Sequence, residues 1–69
     1  MRTRTRVIGN AVWGVYRVDG DENEIEWMIG HIREEGAAWV ALCQNGTPSR
    51  TFDNNEDAVR HIVAGALDR

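Results

Sequence analysis

Between Trp39 and Leu67 the chain spells out a strand, a turn, a returning strand and a capped helix, and this run constrains the fold more than any other feature. Ala37 to Gln44 is apolar and β-compatible, and Asn45-Gly46 follows directly, a pair suited to the positive φ angles of a two-residue hairpin turn. Such a turn sets the register. Gln44 falls opposite Thr47, so Leu42 meets Ser49, Ala41 meets Arg50, Val40 meets Thr51 and Trp39 meets Phe52. Pro48 has no amide proton to donate, which places the returning strand at a sheet edge. The helix is expected over residues 53–68, with Asp53 as N-cap and Glu56 three residues on in a capping-box arrangement. Its Ala58, Val59, Ile62, Val63, Ala66 and Leu67 recur at the three- and four-residue spacing of a stripe that lies on a sheet.

Upstream, Val12 to Val18 is β-branched and aromatic, and Ile25 to Arg33 gives a second strand after the acidic loop Asp19 to Glu24. Period-two alternation puts Ile25, Trp27, Ile29 and His31 on one face of that strand and Glu26, Met28, Gly30 and Ile32 on the other. Residues 1–6 alternate Arg and Thr, which suits either a frayed basic arm or an edge strand whose outward charges discourage aggregation, and the arm is the first expectation. The expected fold is a single small α+β domain over residues 1–69: a three- or four-stranded antiparallel β-meander packed against one C-terminal helix.

Counting faces leads to the main functional expectation. Register groups Trp39, Ala41, Cys43 and Phe52 as the core under the helix, which leaves Val40, Leu42 and Thr51 on the opposite side with either the Trp27/Ile29 or the Met28/Ile32 set. Either choice makes the sheet apolar on both faces, and one helix covers only one of them. A second copy of the chain is the first expectation for the cover, then a different protein, then the N-terminal segment folded across. Val40, Leu42, Met28 and Ile32 are the candidate interface residues. A bulge at Gly14 or Gly30 would slip these faces by one residue. Size points the same way, since 69 residues support only a marginal core. The lone Cys43 makes no intramolecular disulfide.

The chemistry-bearing residues form no recognisable constellation. Asp19, Asp21 and Asn23 have the spacing that begins a calcium loop, but Glu24 stands where the loop needs Gly and Gly30 where it needs a bidentate Glu. His31, His61 and Cys43 lack zinc-motif spacing, and a Cys within Val40-Ala41-Leu42-Cys43 suits a core better than a nucleophile. No catalytic, cofactor-binding or metal-ligating residue is assigned. The net charge of −3 and a pI near 5.2 disfavour nucleic acid as a partner. Arg2, Arg4, Arg6, Arg33 and Arg50 are the candidate contacts should one be bound. No apolar run approaches a membrane span, and the expected location is cytoplasmic.

The stretch Trp39-Val40-Ala41, Ser49-Arg50-Thr51-Phe52-Asp53 and Glu56-Asp57-Ala58-Val59 resembles the β-sheet DNA-binding domains of plant ethylene-response factors and the arm-binding domains of tyrosine recombinases. The likeness covers about thirty residues and consists mostly of scaffold positions. It implies a sheet whose exposed face enters the major groove, yet the corresponding positions here are Val40, Leu42 and Gln44, with only Arg33 and Arg50 nearby. The leading expectation is therefore a small non-enzymatic accessory protein, of the kind bacteria or their phages use, that forms a homodimer and docks on a protein partner. The alternative is a DNA-binding module using the sheet face and the basic arm.

Overall fold

The computed structural model describes residues 1–67. Five strands run in the order β1 (Arg2–Gly9), β2 (Val12–Asp19), β3 (Ile25–Glu35), β4 (Ala38–Cys43) and β5 (Arg50–Phe52), followed by α1 (Asn55–Leu67). Each strand pairs antiparallel with the next, giving one open meander with a helix on one face. The α+β class is as the sequence implied, with more strands than expected. The extra one comes from residues 1–6, which form an edge strand rather than an arm. Their pairing with β2 runs from Arg2 opposite Val18 to Val7 opposite Trp13. The turn that enables it places Ala11 at φ 58°, a left-handed conformation that costs an L-residue about 1 kcal/mol.

The β4–β5 register is the expected one: Trp39 opposite Phe52, Val40 opposite Thr51 and Ala41 opposite Arg50. The turn differs. Only Gly46 has a positive φ, 84°, and Asn45 instead accepts hydrogen bonds at its Oδ1 from the Thr47 amide (3.0 Å) and hydroxyl (2.6 Å). Pairing resumes only at Arg50, beyond Pro48, so the connection is a six-residue loop. The helix also starts one residue later than expected. Asn54, not Asp53, is the N-cap: its Oδ1 accepts from the Asp57 amide at 2.8 Å, and Asp57 takes the place assigned to Glu56. The expected end at residue 68 lies outside the described residues.

The core forms where α1 lies on β4, β3 and β5. Val15, Ile32, Ala41, Ala58 and Ile62 are sealed from solvent, with Trp13, Ile29, Trp39, Cys43, Phe52 and Val59 packed around them. Trp13 and Trp39 stack with ring centroids 5.0 Å apart and planes tilted by 48°. A bulge decides which β3 residues join this face. Val15 pairs with Gly30 and the adjacent Tyr16 with Met28, leaving Ile29 as the extra residue. Both Ile29 and Ile32 thereby reach the helix side, so neither alternating set of β3 holds. Ile32, expected at an interface, is only 2% exposed and belongs to the core. Gly30 permits the close approach: a Cβ there would lie 2.6 Å from the Leu42 carbonyl oxygen and 2.8 Å from Ile62.

Candidate functional site

Register assigns the face opposite α1 strand by strand, because directly paired residues share a side. Val12, Arg33, Val40 and Thr51 form one row across it, and Arg6, Gly14, His31 and Leu42 form the next. Beyond the bulge come Arg4, Tyr16 and Met28, then Arg2, Val18 and Glu26. Two territories result. One carries the half-buried Val12, Val40 and Leu42, with Arg33 and His31 between them on β3 and Met28 beyond; with Arg33, His31, Thr51 and the arginines of β1 on it, this face is mixed rather than apolar as the sequence implied, because Ile29 and Ile32 go to the helix side. The other is a charged canopy over β2.

The canopy is built from β1 and the β2–β3 hairpin. Arg6 Nε and Nη2 donate to the two carboxylate oxygens of Glu26 at 2.9 and 2.8 Å, a bidentate pair. Arg4 lies 3.2 Å from Glu24 and 3.7 Å from Glu26, and Arg2 lies 3.4 Å from Glu24 while donating to the Gly20 carbonyl. Arg2 and Glu26 are both opposite Val18, and their reach over β2 buries Val18 to 4% exposure beneath aliphatic stems. Tyr16 folds back over Gly14, where a Cβ would come within 2.7 Å of the phenol oxygen. The hydrogen bond from Arg6, with the charges of Arg6 and Arg4, holds the Glu26 carboxyl below its ordinary pKa, and Arg6 is raised in return.

These distances place four of the five arginines considered for nucleic acid in ion pairs. Arg2, Arg4 and Arg6 meet Glu24 and Glu26, and Arg33 meets Glu35 at 3.3 Å. Arg50 stacks its guanidinium 5.9 Å from the Phe52 ring. The N-terminal segment extends the sheet as β1 instead of folding across its far face, the third of the covers weighed from sequence, and only its arginine side chains reach over β2. Of the candidate interface set, Val40, Leu42 and Met28 lie on this side and Ile32 does not.

The chemistry-bearing residues are dispersed. Cys43 faces the helix opposite Gly30, whereas His31 faces the other way opposite Leu42, so the two do not form a pair. Burial pushes the Cys43 thiol pKa up, which keeps it protonated and a poor nucleophile near neutral pH. His61, on α1, is half-buried against Phe52 with ring centroids 5.4 Å apart, and its Nε2 has no hydrogen-bond partner among the described residues.

Face counting did not reveal a second exposed apolar group. Ile25 and Trp27 lie on the helix side but beyond the reach of α1, opposite Asp19 and Arg17, and remain 55% and 48% exposed. Arg17 stacks 5.7 Å from the Trp27 ring and pairs with Asp19 at 3.1 Å. Next to them Met1, Arg17, Met28, Ile29, Gln44, Asn45 and Ala66 line an open cleft of about 340 Å³. Length was the available signal: β3 extends five residues past its last partner in β4.

Comparison with protein-family models, with curated proteins and with solved structures finds no match to this chain. Among the described residues no helix is long and apolar enough to cross a membrane.

Proposed function

We propose that the chain is a non-enzymatic, cytoplasmic binding protein that associates with a second copy of itself through the far face of its sheet. The observation that carries this reading is the apolar group Val12, Val40 and Leu42, half-buried and flanking Arg33 and His31, on the side of the sheet away from α1, the one helix among the described residues. Exposed sheet surfaces are normally polar on their wet side, so an apolar group there favours association. A second copy is the favoured occupant because the sealed core is small, five side chains among the described residues, and an identical chain set against this face would enlarge the buried apolar surface.

The net charge of −3 and the carboxylates of Glu24, Glu26 and Glu35 beside Arg2, Arg4, Arg6 and Arg33 favour this reading over nucleic-acid binding, since a duplex lying on this sheet face would bring its phosphates against those carboxylates. A duplex gel shift at low salt is expected to show no retardation. Size-exclusion chromatography with light scattering tests the main reading. The wild-type chain should elute with twice the 7.8 kDa chain mass, and Leu42→Glu with a single chain mass and an unchanged circular-dichroism spectrum. A wild-type monomer would remove the self-association.

A further inference from the structure

The outer edge of β1 is the other unsatisfied surface. β1 runs for eight residues at the end of the strand order, so one side of its backbone has no strand partner among the described residues, whereas the opposite edge of the sheet is the three-residue β5. We propose that this edge receives an extended segment of another protein carrying carboxylates at every second residue, which adds to the sheet as a sixth strand.

Alternation along β1 selects that chemistry. Arg2, Arg4 and Arg6 share the far face, while Thr3, Thr5 and Val7 share the helix side. Residues of an added strand lie on the same side as those they oppose, so its alternate positions fall beside the three guanidiniums. The cations retain capacity. Glu24 and Glu26 approach from across β2, three arginines share these two carboxylates, and the Arg2, Arg4 and Arg6 side chains remain 54, 38 and 53% exposed. Arg6 gives Nε and Nη2 to Glu26, which leaves its Nη1 protons free for a further acceptor. At the far end of the strand, Val7 is 70% exposed and offers an apolar contact on the helix side.

A second copy of this chain does not fit the same edge. Two antiparallel edge strands related by a two-fold have that axis normal to the sheet, which keeps each face on its own side. Arginine positions then oppose arginine positions, and like charges directly opposite are destabilising. The row of arginines therefore guards the edge against self-pairing while leaving it open to opposite charge. This surface is separate from Val40 and Leu42 and does not depend on self-association.

The test is an NMR titration of isotope-labelled protein with a blocked eight-residue peptide alternating Glu and Thr, taken to millimolar concentration. Amide shifts should concentrate in Arg2–Gly9, diminish as salt rises, persist in Leu42→Glu, and vanish both with Lys in place of Glu and with a peptide N-methylated along one edge. Arg6→Ala should weaken binding about threefold, as for one exposed ion pair. Absence of shifts, equal shifts from the Lys peptide, or shifts centred on Leu42 would each overturn the proposal.

Discussion

One end of this sheet is held by burial and the other by charge. Where α1 lies across β3, β4 and β5, Val15, Ile32, Ala41, Ala58 and Ile62 are each 2% exposed or less. At the other end, β1 and the β2–β3 hairpin extend past the helix and, apart from Val18, are held by the strand ladder, the Arg2, Arg4, Arg6, Glu24 and Glu26 network and the exposed contacts of Arg17 with Asp19 and Trp27. Buried apolar packing is worth kilocalories per side chain, whereas exposed ion pairs contribute little. The domain therefore has a firm half that sets the fold and carries Val40 and Leu42 on its far side, and a loosely held half that presents the β1 edge.

Mutations should separate the halves. Ile62→Ala, which empties a fully buried site between helix and sheet, should cost about 2–5 kcal/mol in urea unfolding. A cost no larger than that of a surface change would place the core elsewhere. Gly30→Ala is expected to cost about 1–3 kcal/mol, because the new methyl meets a backbone oxygen that has little room to yield. Arg6→Ala should lower the melting temperature less than either, with a difference from wild type that shrinks as salt rises. A salt-independent loss would mean that Arg6 acts by packing.

Acid should have the smallest effect and act on the charged half first. The folded pKa of Glu26 lies below its unfolded value, so its contribution is present above the ordinary carboxylate range and is lost as pH falls through the folded value. Amide exchange in β1 should therefore rise below the carboxylate range while α1 remains protected. Simultaneous loosening of both would contradict the division.

Legibility in the sequence follows the same boundary. In the firm half, local signals and burial agree: Trp39, Ala41, Cys43 and Phe52 face the helix as alternation requires, and the β4–β5 register held although the turn chemistry did not. Spacing across the connection fixed that register, and the Asn45 side chain stabilised a wider loop without shifting it. The helix start moved by one residue because Asn54 and Asp57 offer the same cap geometry as Asp53 and Glu56. The charged half was harder to read. β1 contributes no buried apolar residue and its turn to β2 uses Ala11 in a conformation that marks Gly or Asn elsewhere, so the Arg/Thr alternation suited an arm as well as an edge strand and nothing local chose between them. The Arg–Glu canopy joins residues about twenty apart in sequence, beyond any local rule. Strict alternation also failed at Ile29, where a single extra residue sent Ile32 into the core.

The two proposed surfaces fall on opposite sides of this unequal division, and native-state hydrogen exchange resolved by residue measures it most directly. Amides of β4, α1 and the Gly30–Arg33 part of β3 should exchange only through global unfolding, while those of β1 and of Ile25–Met28 exchange through smaller openings that become easier as salt rises. Equal protection across all five strands, unaffected by salt, would contradict the account.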